Sequence, residues 1–455
     1  MILLRDCYYL LSPEVDDPHA GWDVLLRDGS IERIARSIRP PAGARVIDCS
    51  RHVVVPGFVN THHHFYQTLT RNLPQAQDAK LFDWLVYHYE VWKNLDAEAI
   101  RVSTQLACAE LLKTGCTCTT DHHYLYPHDL VASGEVDVMG IQFEAAAELG
   151  IRFSPSRGSM SRGRSEGGLP PDSVVQNEAA IVDDCRRVIE RYHDPEPLAM
   201  RKVTLAPCSP FSVTPDLMQE SARLAREYGV LLHTHLAETA DEEEYCMEAH
   251  GKRPLALMEQ WGFVGDDVSY AHGIFFTDEE LALLAETGTG VCHCPSSNMR
   301  LGSGIARVSE MIDAGVPVSI AVDGSASNDS SDYLGELRTA LLLQRVRYGA
   351  DAIGAREVFD LATRGGARML GFPRCGELRP GWAADIAAFD VHGVEYAGAQ
   401  ADPLAALLFC GIDHRADWTI VHGRVAVEHG EVVGLDEDRL ARDANHAAAR
   451  LLAGS

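Results

Sequence analysis

VVVPGFVNTHHH occupies residues 53–64. Its apolar run Val53 to Val59, punctuated by Pro56-Gly57, is too short for a helix and reads as a strand, with polar side chains gathered only at its far end. Successive strand residues face opposite ways, so His62 and His64 project together while His63 points elsewhere. Two imidazoles one strand step apart can share a metal ion, although an isolated pair of this kind is often structural.

The same grammar recurs along the chain. VLLHTHL at 230–236 alternates His233 and His235 and leads to Glu238, VSYAHG at 268–273 carries His272, and PVSIAVD at 317–323 ends on Asp323. CTCTTD at 116–121, IRFSPS at 151–156, VTLAPC at 203–208 and TGVCHC at 289–294 complete eight candidate strands. Helices with clear boundaries lie between them. Thr277 caps 277–287 with Glu280 at the third helical position and Gly288 after the end, Thr214-Pro215 and Gly229 bracket 214–229, and Asp96 and Gly115 frame a third. Strands alternating with capped helices predict an α/β fold, a (β/α)8 TIM-like barrel that collects its chemistry at the carboxyl ends of its strands. A doubly wound open sheet has the same local pattern.

The flanks read differently, as short alternating strands rather than long helices. Asp28-Gly29 and His422-Gly423 are hairpin-turn dipeptides within such runs. The expected organisation is a small β-sandwich domain built from both chain ends, residues 1–55 and 372–455, beside a barrel over residues 56–371. Residues 157–171, rich in Gly, Ser and Arg, read as a mobile loop over the barrel mouth.

Composition narrows the function. A formal charge of −26 repels phosphate backbones and anionic lipid, so neither nucleic acid nor membrane is an expected partner. No apolar stretch approaches the roughly 20 residues of a membrane span, and MILLRDCYYLL lacks a basic leader segment, which points to the cytoplasm. The 12 cysteines then read as buried small side chains. Cys116-Thr117-Cys118 and Cys292-His293-Cys294 have no second pair at zinc-finger spacing.

His62, His64, His235 and Asp323 form a candidate set of nitrogen and oxygen ligands for one divalent metal ion, with Zn2+ matching the preference and Fe2+ or Mn2+ sharing it. Glu238, three residues beyond His235, is placed to act on a water beside the ion without ligating it. It also begins the charged run to Glu244, where a solvated face is the alternative reading.

Taken in order, PGFVNTHHH at 56–64, HTHLAE at 233–238, AHG at 271–273, CPSSNMRLGSG at 294–304, VDG at 322–324 and GELRPGWAADIAAFD at 376–390 resemble the amidohydrolase superfamily, in its deaminase and chlorohydrolase branch. The resemblance spans nearly the whole chain. It implies that His62, His64, His235 and Asp323 bind one metal, that Glu238, His272 and Asp323 are catalytic and move protons, and that water displaces ammonia from an amino-bearing ring carbon. No strand-borne lysine offers itself as a bridge to a second ion.

HFYQTLTR at 64–71, AQDAKLFDWL at 76–85 and DHHYLYP at 121–127 are most similar to the deaminases of 8-oxoguanine, which form urate and ammonia. Isoxanthopterin and guanine deaminases and s-triazine (hydroxyatrazine-like) hydrolases are the rival readings. By that likeness Gln67 would fork onto a lactam edge, Trp84 and Tyr126 would wall the ring, and Cys208 would approach an extra carbonyl. Gln67 could instead brace its loop, and the aromatics could be core. A homo-oligomer is expected by the same likeness. A barrel that has lost catalysis and serves as a scaffold is the remote alternative.

Overall fold

The computed structural model describes all of the chain except Ala20, Ser133 and Ser455. The barrel strands are Phe58–Asn60, Cys116–Thr119 continuing as His122–His123, Arg152–Phe153 continuing as Ser156–Ser159, Thr204–Pro207, Leu231–Leu236, Val268–His272, Gly290–His293 and Val318–Ile320. Each pairs in parallel with the next around the ring. The seam between the last strand and the first is closed by the Asp323 amide, which donates to the His62 carbonyl at 3.1 Å, and by the Tyr333 hydroxyl, 2.8 Å from the carbonyl oxygens of both Val59 and Ile320.

Strands two and three are each broken in the middle, where continuous runs were expected. Pro155 has no amide hydrogen to give the ladder. The Ser154 amide still donates to the Thr119 carbonyl, and the Thr120 hydroxyl donates to the Ser154 carbonyl, so the two strands kink together.

The predicted helix boundaries are present. Thr277 and Glu280 form a reciprocal capping box, Thr214 accepts from the Leu217 amide, Asp96 accepts from the Ala99 amide, and Gly229 and Gly288 end their helices with left-handed φ of 67° and 71°. Asp28-Gly29 and His422-Gly423 are two-residue hairpin turns with positive φ at both positions.

The quoted stretch is so uniformly apolar because its strand is covered on both faces. His52–Pro56 lies in a six-stranded sheet beside Ile386–Asp390, Trp418–Val421, Arg424–Glu428, Glu431–Val432 and Tyr9–Leu10. Val54, Ile386 and Ala388 face a four-stranded N-terminal sheet and make the sandwich core with Ile2, Leu4, Val24 and Ile47, whereas Val53, Val55, Ala387 and Phe389 face the barrel.

Two expectations about the periphery are corrected. Helices Pro403–Phe409 and Glu437–Ala453 interrupt the strand-rich C-terminal part. The latter buries Leu440, Ala444, Ala447 and Leu451 against the barrel side, where the Asn94 amide nitrogen donates to the Leu451 carbonyl. Residues 157–171 do not begin as a loop, because Ser156–Ser159 is a buried strand and the Arg157 side chain is buried, 2.6 Å from the Asp184 carboxylate.

Candidate active site and metal centre

Strand ends deliver the polar residues, and the backbone bends sharply to aim them. Ala237, His272 and Asp323 have φ of 53°, 73° and 65°, a left-handed conformation that costs a non-glycine residue about 1–2 kcal/mol and is concentrated at functional sites. After Asp323, Gly324 lets the Gln67 amide pack close against the backbone, where a Cβ would sit 2.0 Å from Gln67 Oε1. His62, His64, His235, His272, Glu238 and Asp323 are all buried.

The hydrogen bonds fix which ring nitrogens carry lone pairs. His64 Nδ1–H donates to the His122 carbonyl at 2.8 Å and His235 Nδ1–H donates to the Cys208 carbonyl at 2.7 Å, so both Nε2 atoms are bare. They face each other 3.1 Å apart. Ser269 Oγ lies 2.8 Å from His233 Nδ1 and 3.5 Å from the Leu232 carbonyl. His233 Nε2 in turn lies 2.8 Å from His62 Nδ1, so this chain turns the His62 ring to aim Nε2 at the cluster. His62 Nε2 is buried and meets no strong hydrogen-bond partner among the described residues. It lies 3.3 Å from Asp323 Oδ1, and His64 Nε2 lies 3.4 Å from the same oxygen.

Converging lone pairs repel unless a cation lies among them. Protons do not take that place on the histidines, because burial pushes the His62 and His235 imidazoles well below their ordinary range and lowers His64 too. Burial opposes the Asp323 charge, yet the surrounding imidazoles, His62 first, hold its carboxyl well below the usual range. Ligand atoms about 2.0–2.1 Å from a tetrahedral centre stand about 3.3 Å from one another, close to the separations of His64 from His235 and of Asp323 from His62 and His64. These four side chains fit a divalent ion.

On the open side of the cluster, His272 Nε2 lies 3.6 Å from Glu238 Oε2 and 3.9 Å from Asp323 Oδ2. Its Nδ1–H donates to Asn298 Oδ1 at 2.9 Å, which orients the ring. Burial works to lower the His272 pKa, but Glu238 and Asp323 outweigh it and the net shift is upward. Burial, opposed by His272 and reinforced by Asp323, raises Glu238 to about 7. The Glu238 amide is held by Glu242 Oε2 at 2.9 Å.

A cavity adjoins these groups. Gln67, Trp84 and Cys208 line it, as expected from the sequence. Gln67 Oε1 also accepts from the Ala326 amide at 3.3 Å, so this side chain braces the loop after strand eight. Tyr126 does not reach the cavity. It packs with Ile100, Leu130 and Val138 under the Arg157 guanidinium, 3.9 Å from the ring centroid, and Tyr124 lines the cavity instead.

Several residues of the site carried only weak sequence signals. His233 supports His62 and was visible as the other imidazole of HTH. His122, stacked on His235 at 4.8 Å, donates from Nε2 to the Ala206 carbonyl, and its Nδ1 is buried without a hydrogen-bond partner among the described residues. Its signal was the polar Asp121-His122-His123 at the end of strand two. Asn298 and Tyr89 lie on helices and Phe211 and Leu301 on connecting loops, where no strand-end pattern marks them.

The amidohydrolase family profile matches residues 53–426. The 8-oxoguanine deaminase of Pseudomonas aeruginosa is 47% identical over 437 residues, covering 96% of each chain. Hydroxydechloroatrazine ethylaminohydrolase of Pseudomonas sp. strain ADP is 39% identical over 95% of this chain and 92% of its own. Among solved structures, a variant of the atrazine chlorohydrolase of Arthrobacter aurescens TC1, complexed with zinc and atraton, superposes with a TM-score of 0.92 at 31% identity, covering 98% of this chain and 100% of that one. Fold, buried ligand set and full-length similarity agree, and the chain belongs to the amidohydrolase family.

Proposed function

We propose that the protein is a metal-dependent hydrolytic deaminase of an amino-substituted heterocycle, converting 8-oxoguanine and water into urate and ammonia. The observation that carries this reading is the convergence of three imidazole Nε2 atoms and the Asp323 carboxylate beside the Glu238–His272 pair. The 47% identity to an 8-oxoguanine deaminase supports the choice of ring. His62, His64, His235 and Asp323 are assigned to hold one Zn2+, the ion present in the chlorohydrolase structure. When bound, such an ion supplies Lewis acidity that makes water acidic enough to attack near neutral pH.

The chain's own residues then manage two protons. Glu238, with a pKa near 7, takes one from the attacking water and passes it to the ring nitrogen next to the amino-bearing carbon. A carbon–oxygen bond forms, and the tetrahedral carbon carries both oxygen and nitrogen. His272 and Asp323 receive the second proton, which goes to the leaving amine as the carbon–nitrogen bond breaks and ammonia departs. Gln67, Trp84 and Cys208 are assigned to position the ring.

Twelve free thiols, nearly all buried, suit a reducing cytoplasm. Exposed Leu342, Val346 and Phe409 support assembly into a homo-oligomer. The reading is tested by assaying the purified enzyme on 8-oxoguanine, guanine, isoxanthopterin, cytosine and hydroxyatrazine. Fastest turnover is expected on 8-oxoguanine, and negligible turnover of it beside rapid turnover of another ring contradicts the assignment.

A further inference from the structure

Three tyrosines crowd the side of the cavity formed by strands two and four and by the helix that covers them. Tyr89 projects from helix Leu81–Trp92, Tyr124 follows the strand ending at His123, and Tyr66 lies in the turn Phe65–Thr70. All three are at most 2% exposed, and Tyr89 and Tyr124 line the cavity next to Cys208 and Glu238. Tyr66 backs them, its ring edge-on to Tyr124 at 6.0 Å and to Trp92 at 5.1 Å.

The hydroxyls of Tyr66 and Tyr89 are buried and have no hydrogen-bond partner among the described residues. A phenol left in that state is costly, and the Tyr89 side chain lines the substrate cavity. Leu85 and Phe211 flank this wall with apolar surface. Each phenol on it can donate a hydrogen bond. A carbonyl oxygen on a planar ring meets it well, whereas a bare carbon–hydrogen edge leaves the phenols as they are.

Resting on the deaminase reading above, we propose that Tyr89 and Tyr124, backed by Tyr66, form a donor wall that accepts a substrate carbonyl remote from the reacting carbon. It thereby selects oxidised heterocycles over analogues lacking that oxygen. Gln67 and Ser327 also line the cavity, Gln67 bonded to the loop after strand eight, so the ring would meet further polar groups there while its amino-bearing carbon meets Glu238.

The test compares kcat/KM for 8-oxoguanine and guanine in the metal-loaded wild type and in Tyr89→Phe, Tyr124→Phe and Tyr66→Phe, with urate binding measured alongside. The proposal expects the preference for 8-oxoguanine to fall at least about tenfold in Tyr89→Phe and Tyr124→Phe and less in Tyr66→Phe. The loss should be carried mainly by KM and matched by weaker urate binding. Equal losses on both purines would mark the tyrosines as packing and overturn the proposal, as would a preference that survives in both cavity-lining variants. A wild type inactive on both purines defeats the substrate reading itself and takes the donor wall with it, a result distinct from an active wild type whose variants keep their selectivity.

Discussion

Glu238 is the side chain on which the proposed chemistry turns. It is buried, raised to about 7, and placed 3.6 Å from His272 without touching the imidazoles that would bind the ion. Glu238→Gln keeps the shape and loses the proton relay, so the variant should retain bound metal while kcat falls by about 10²–10⁴. Steady-state assay with metal analysis of the same sample checks this, and a near-normal rate would overturn the relay. At this scale the sequence was legible wherever alternation held, which is why His62 and His64 could be paired before any coordinates. It failed at Tyr124 and Tyr126. Both lie beyond the end of strand two, where the chain turns into Pro127 and strand phase no longer tells which ring looks inward.

Among the elements, the short helix Pro295–Arg300 matters because it carries Asn298 to His272. Its first turn is pinned by Glu336 of helix Tyr333–Tyr348, which accepts from the Ser296 amide at 2.8 Å. Burial raises Glu336 to about 8, opposed by Ser296. An unfolded glutamate ionises near pH 4.3, so the folded state binds the extra proton between that pH and about 8. Stability from this group is full below the unfolded pKa and is lost as pH rises toward 8. Glu336→Gln should flatten that decline by at least about 1 kcal/mol, read as urea midpoints at pH 6 and pH 8.5. An unchanged slope would contradict the assignment. Capped helices such as Asp278–Thr287 were readable because their caps are local chemistry. The break at Pro155, the strand inside residues 157–171 and the docking of helix Glu437–Ala453 depend on partners far away in sequence, which no local window contains.

Across the whole molecule, the barrel and the sandwich are joined by a buried ion pair as well as by the two-faced sheet. Arg152 Nε on strand three lies 2.8 Å from Asp385 Oδ2, with both side chains at most 2% exposed, and Asp385 Oδ1 also accepts from the His422 amide at 2.7 Å. Arg152→Met leaves that carboxylate buried without its cation and should cost about 3–5 kcal/mol, visible as a lowered thermal midpoint. A loss under about 1 kcal/mol would show that the sheet alone holds the junction. The barrel was visible in the strand and helix rhythm, and the shared sheet was hinted at by the unbroken apolar run at Val53-Val54-Val55.

Side chains from the ends of strands one, five and eight are assigned to surround one divalent cation. Metal content per chain, measured on the purified wild type and on His62→Ala, His235→Ala and Asp323→Ala, tests it most directly. About one equivalent of a divalent transition metal is expected in the wild type, with a sharp loss in each variant while the chain stays folded. A metal-free wild type that turns over substrate, or full metal content in all three variants, would contradict it.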